Sequence, residues 1–338
     1  MPDRFTTSLL LANIVLLNAS YAQKTPCPPV STAQIVSDVV IQGASMNDGY
    51  GGWPVCGVDG QVYRKPGRGD LTSVMRVSRD GSTLLFSPPE HVYPGVIAAA
   101  GSALNILSSV HSTAERSVPF QMYHFDSQAN LLAQNPVSIP VQPYGMAVMS
   151  SGRTIVVGTH LKDPDNPGNR KYSFAILDEN DQLVRSVDLP LPSGGGGWTF
   201  ASQMAAGDRV AYVMLHSNQP PQTAIATISE KGNQSLDIKV IAAPLDTQTR
   251  HHNEWVFGPG VVVDMYFYTN ERPHVTDRFD EYDLKTGEKI ATKSAPPAGY
   301  QTGCYTGDEF SMLAHSAHVD PARHLSPDAL RVVTSKLQ

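Results

Sequence analysis

Charge is scarce in this chain, at 17% of residues, and its formal balance is −6. A nucleic-acid partner would need a basic face, so that class of binder is not expected. Nowhere do apolar residues recur at helical spacing over a long window, which argues against a helical bundle. Past the N-terminus no run approaches the ~20 apolar residues of a membrane-spanning helix. Familiar catalytic patterns are missing too. The glycine run 194–197 lacks the Lys-Ser/Thr of a phosphate-binding loop, and there is no Gly-x-Ser-x-Gly elbow. Residues 163–168 lack the remaining ligands of a calcium loop, and His-Glu-x-x-His zinc spacing does not occur.

What is present begins with a leader. A short basic end at Arg4 precedes an apolar run from Leu9 to Leu17 and a small-residue site ending at Ala22. This pattern predicts a signal peptide over 1–22, a flexible segment over 23–34 and a single domain over 35–338, secreted or periplasmic. Glycine and proline are plentiful at 27 and 26 residues, which fits many short strands joined by turns. Only three cysteines occur, so they cannot all pair.

A hairpin signature recurs along the chain: residues 75–81 with 83–86, 122–126 with 131–132, 174–178 with 183–184, 225–229 with 236–238, and 279–283 with 289–290. The repeats start 47 to 54 residues apart, close to the ~40–50 of propeller repeats. Their turns hold Asp80-Gly81, Gln128-Ala-Asn130, Glu179-Asn-Asp181, Lys231-Gly-Asn233 and Lys285-Thr-Gly287, residues that tolerate positive φ. A more apolar hairpin precedes each of these, and a sixth begins at Cys304. The expected architecture is an all-β, six-bladed β-propeller of four-stranded blades, with apolar inner strands A and B and alternating outer strands C and D. The final unit lacks a fourth strand. Residues 35–41, placed beside 330–333, are expected to supply it and close the ring.

In a propeller, the loops before strand A and after strand B share one face around the central channel. An aromatic stands before each A strand: Trp53, Tyr93, Tyr144, Trp198, Trp255 and Tyr300. These are candidate ligand-binding residues, because flat rings stack on sugars and other planar molecules. After the B strands come His111, His160, His216 and His315, with Asn270 as a further ligand-binding candidate. Histidines from separate blades could share a divalent metal, zinc or calcium, while the same histidines could instead bond to backbone carbonyls. The densest polar group, His251-His-Asn-Glu254, makes His252 and Glu254 the candidate catalytic pair, with Glu254 as general base or ligand. Cys56 and Cys304 fall on inner strands of the first and last units. Such strands usually stand too far apart for a bridge, so free buried thiols are expected, with Cys56–Cys304 or Cys27–Cys56 pairing as the alternatives.

The segments Tyr93-Pro-Gly-Val-Ile-Ala98 and Pro143-Tyr-Gly-Met-Ala-Val-Met-Ser-Ser-Gly152, the latter followed by an apolar strand, resemble the repeat of NHL-type and SMP-30/gluconolactonase-like propellers. The resemblance implies a six-bladed ring with a ligand site at the channel mouth. Metal-dependent lactonases, histidine–zinc lyases and plain binding propellers share that ring. Three functions therefore stay open. One is a monomeric binder of a small molecule, carbohydrate or peptide, another a metal-dependent lyase or hydrolase, and the third a protein-interaction scaffold.

Overall fold

The computed structural model describes residues 33–45, 55–57, 60–65, 73–78, 81–87, 89, 92–101, 103–110, 120–160, 172–189, 191, 198–207, 209–218, 221–230, 237–241, 250–268, 275–315 and 329–337. The expected leader over 1–22, Cys27, Trp53, His111 and Asn270 lie outside them. Among the described residues there are only strands, turns and short connections, and no helix is long and apolar enough to cross a membrane.

Strand β1 (Ala33–Ser45) comes first in sequence but pairs with the last strand. One antiparallel sheet then runs β2 (Val55–Gly57), β3 (Gly60–Lys65), β4 (Ser73–Ser78), β5 (Gly81–Phe86). The next runs β6 (Val92–Ala100), β7 (Ala103–Val110), β8 (Phe120–Phe125), β9 (Leu131–Val137). A third holds β10 (Val141–Val148), β11 (Thr154–His160), β12 (Tyr172–Leu177), β13 (Leu183–Asp188), and a fourth β14 (Thr199–Ala206), β15 (Val210–Asn218), β16 (Pro221–Ser229), β17 (Asp237–Ile241). Seven strands form the fifth sheet: β18 (Arg250–Gly258), β19 (Val261–Tyr268), β20 (Val275–Asp283), β21 (Lys289–Tyr305), β22 (Glu309–His315), β23 (Ala329–Leu337) and β1.

These sheets number five where the sequence predicted six separate blades. The difference lies in β21. Its first part pairs with β20 as far as Gly299 and its last part, from Tyr300, with β22, with no break between. Pro296 and Pro297 fall at an irregularity of the β20–β21 ladder, between the pairs Arg278–Ser294 and Thr276–Ala298.

Each hairpin is set by local chemistry. The aspartate ending an outer strand folds the turn onto itself. Asp126 Oδ1 accepts the N–H groups of Gln128 (2.9 Å) and Asn130 (2.8 Å), and Asp178 does the same for Asn180 and Gln182. Ala129 and Asp181 take the matching left-handed position, at φ 68° and 62°. Burial differs from expectation in one respect. The third strand of the third sheet is as deep as the second, since every residue of β12 is buried, while the outermost strands β9 and β13 alternate with an exposed face.

Hydrophobic cores lie between successive sheets. Val157, Phe174 and Ile176 pack with Trp198, Val213 and Leu215 across one seam, and Val263, Met265 and Phe279 pack with Tyr305, Phe310 and Val333 between the two halves of the seven-stranded sheet. Polar clasps cross these seams as well. His124 places Nε2 2.7 Å from Asp181 Oδ2 of the next sheet and Nδ1 3.0 Å from Asn105 Oδ1, while Asn135 Nδ2 donates to the same Asp181 oxygen at 2.8 Å. Arg76 Nη1 donates to the Ser127 carbonyl and Arg153 Nη1 to that of Glu230.

The ring is closed twice. β1 pairs antiparallel with β23, Ile35 opposite Ser335 and Val40 opposite Arg331, as the closure by residues 35–41 anticipated. There Arg331, fully buried, is ion-paired with Asp38: Nε donates to Oδ1 at 2.6 Å, and Nη2 lies against Oδ2. Burial pushes the Arg331 guanidinium below its ordinary value. The second closure corrects the expectation of free thiols, because Cys56 and Cys304 are bridged with Cα atoms 5.4 Å apart. Strand β2 approaches the last part of β21 closely enough for that separation. A bridge spanning 248 residues restricts the unfolded chain, an effect on the order of 5 kcal/mol in the chain-entropy treatment.

Candidate functional site

The inner strands touch in the order β6, β10, β14, β18, β21, β2 and back to β6, or through the direct neighbours of each. They enclose an axial cavity of about 970 Å³. Its described lining is built from small and apolar residues such as Ala99, Met146, Met204 and Phe257, with Tyr144 and Tyr305 as aromatic groups. No Asp, Glu, Lys, Arg or His is among the described residues that line it.

Tyr144 is the sequence-selected aromatic that lines this cavity. It is half-buried on β10, its ring 6.4 Å from that of Phe200 in a stacked arrangement and 6.4 Å from Tyr172 edge-on. Thr159 Oγ1 donates to its hydroxyl at 3.4 Å, and Tyr172 Oη accepts the Phe200 N–H at 3.2 Å. The neighbouring Gly145 makes the arrangement possible. A Cβ there would lie 2.5 Å from Phe200 Cζ, so the Pro143-Tyr-Gly145 motif seats a ring of the next sheet.

The other aromatics fall differently. Tyr93 is half-buried within β6, opposite Ser109. Trp198 is buried in the seam between the third and fourth sheets, and its indole N–H meets no acceptor among the described residues. Trp255 lies in mid-strand, buried, with its ring 5.6 Å from that of Tyr282. These two tryptophans pack sheet against sheet rather than presenting a face to a ligand. The reason is that β18 begins at Arg250, earlier than the sequence suggested, which carries Trp255 inside the strand. The backbone of Tyr300 pairs with Ala314 in the same manner; its side chain lies outside the described set.

The histidines and the polar group divide likewise. His160, ending β11, places Nε2 3.7 Å from Asp188 Oδ1, at 36% and 68% exposure, and Ser173 Oγ donates to the same Asp188 oxygen at 3.0 Å. His216 sits on the next sheet with Nδ1 3.0 Å from Thr223 Oγ1. Each of the two thus has a partner on its own sheet. Among the described residues no three His, Cys, Asp or Glu side chains are grouped to hold a metal. His315 ends β22 opposite Leu330, and His252 and Glu254 are strand residues of β18, opposite Phe267 and Met265, rather than loop residues; their side chains lie outside the described set. Asp188 and Ser173 were not selected from sequence. Asp188 ends β13, but the other outer strands β5, β9 and β17 end in Phe86, Val137 and Ile241, so no repeat in the sequence marks it.

The fold and the cavity define the class: an all-β propeller of four-stranded antiparallel blades around an axial channel without charged side chains among its described lining. No family model matches the chain and no curated protein matches it, so the likeness to NHL-type and SMP-30-type propellers rests on the quoted motifs alone. Among solved structures it is similar to a protein of unknown function from Bacteroides caccae, at 10% identity and a TM-score of 0.38, over 78% of this chain and 82% of that one.

Proposed function

We propose that this protein is an exported six-bladed propeller that binds a small, mainly apolar molecule in its axial channel, with Tyr144 at the ligand. The observation that carries the reading is the cavity of about 970 Å³, whose described lining offers apolar and aromatic side chains beside polar backbone, Ser150 and Thr306, and no charged side chain. Binding sites for small molecules are of this size and character. The six-blade count is supported by the six inner segments around the channel and by the two pairing partners of β21, which serves as the outer strand of one blade and the inner strand of the next.

The probe is anilinonaphthalene sulfonate, whose fluorescence rises in apolar surroundings. One saturable site is expected, lost when Ala206→Trp fills the channel and weakened about tenfold by Tyr144→Ala, a loss of about 1.4 kcal/mol. Non-saturable binding, or binding unchanged in both variants, would sink the channel reading. A metal-dependent lyase or hydrolase is the second reading, favoured by the His160–Asp188 pair. Unchanged thermal stability on titrating zinc or calcium, and on adding a chelator, counts against it.

A further inference from the structure

The Cys56–Cys304 bridge differs from a purely structural staple in where its two ends stand. Cys304 is 2% exposed, whereas Cys56 is exposed and lines the axial cavity. Cys56 belongs to a strand of only three residues, paired to β3 through Val55, Cys56 and Gly57. A strand that short has few hydrogen bonds to hold it and can shift locally without wider unfolding. The ring meanwhile has its other closure in β1 and β23, with the Asp38–Arg331 pair.

We propose that this disulfide is a thiol-exchange site, opened in the folded protein by attack of a small thiol on the Cys56 sulfur from the channel side. The inference does not depend on what the channel binds. A thiolate attacks Cys56 Sγ, the S–S bond breaks, and the electron pair leaves on Cys304 Sγ. The product is a mixed disulfide at Cys56 and a buried Cys304 thiolate, which takes up a proton. When the attacker is a dithiol, its second thiolate then displaces Cys56. The dithiol ends as a cyclic disulfide and the protein as two thiols. The β1–β23 closure keeps the propeller shut, so the two thiols stay near each other and a small-molecule disulfide can restore the bridge by the reverse exchange, itself being reduced to two thiols.

The test uses the full chain in a Cys27→Ser background, with dithiothreitol as dithiol and glutathione as monothiol. Reduction is expected to be first order in dithiothreitol and unchanged by ~1 M urea, below the range in which such a domain unfolds. Glutathione is expected to be trapped on the Cys56 peptide. The reduced protein should keep its β-type circular dichroism and a cooperative thermal transition at lower temperature. A rate that saturates with dithiothreitol and climbs steeply with urea would mean that reduction needs global unfolding, and would overturn the proposal. Glutathione found on Cys304 would overturn it as well. Single-cysteine variants give an independent arm: the Cys56 thiol in Cys304→Ser should alkylate ~100-fold faster than the Cys304 thiol in Cys56→Ser, since access governs reactivity. Equal rates contradict the asymmetry.

Discussion

Removing Asp38 should unfasten the ring at its most costly point. Arg331 is fully buried and Asp38 only 16% exposed, so the guanidinium relies on the two oxygens of this carboxylate to compensate for lost hydration. Taking away one partner of a buried pair typically costs about 3–5 kcal/mol, because the remaining charge stays in place without its counter-ion. Asp38→Ala should fall at the lower end, near ~3 kcal/mol, since partial exposure lets water reach the vacated position. For a chain of this size, with an unfolding entropy of roughly 0.7 kcal/mol/K, that corresponds to a fall in Tm of about 4 °C. Urea titration with the disulfide intact should show a lower midpoint and an unchanged slope. The informative control is the double variant Asp38→Leu/Arg331→Met, expected within ~1 kcal/mol of the parent because both desolvation costs vanish together. If Asp38→Ala lost less than ~1 kcal/mol, or the double variant were as unstable as the single one, the reasoning about a buried, dependent charge would be refuted.

Gly158→Ala should prevent folding or cost at least ~3 kcal/mol, because the new Cβ would lie 1.8 Å from the backbone oxygen of Gln142; soluble yield and urea midpoint report it. Gly101→Ala, where φ is +63° and nothing lies within 4 Å, should cost only ~1–2 kcal/mol, the strain of the left-handed conformation alone. The Asp126 carboxyl is held below the ordinary carboxylate range, first by the Asn130 side-chain amide and then by backbone N–H groups. Its contribution to stability is therefore present above the unfolded value of ~3.9 and is lost as pH falls through the lower folded value. A carboxyl-carbon NMR titration should give a midpoint below that of a free aspartate, and Asp126→Asn should remove this part of the acid dependence. A midpoint at or above the free value contradicts the turn geometry.

The hairpins were legible because their signals are local. Asp126, Asp178 and Asp283 each end a strand and fold the next turn by accepting nearby N–H groups, so the repeat could be read from residue type and spacing. The closing strand was legible for a similar reason, since residues 35–41 form an apolar run with no partner of its own. The candidate site was less so. Trp198 and Trp255 occupy the same repeat position as Tyr144, yet they fill the seams between sheets while Tyr144 lines the channel. Which way a ring points depends on strand length and on the neighbouring sheet, and neither is carried by the motif. The merging of two expected blades through β21 was hidden for the opposite reason: it is a matter of pairing with β20 at one end and β22 at the other, which no local pattern carries.

By itself, then, the sequence determined the all-β class, the hairpin repeat, the turns and the segment that fastens the ring, because all of these follow from contacts within a few residues or from an apolar run in need of a partner. Tertiary structure decided what depends on residues far apart in the chain. It alone brought Cys56 within bridging distance of Cys304, set Asp38 against Arg331, laid Phe200 over Gly145, and separated the ring that faces the channel from those that hold the sheets together. These are matters of closure, and closure is fixed by how sheets pack, not by what any one repeat contains.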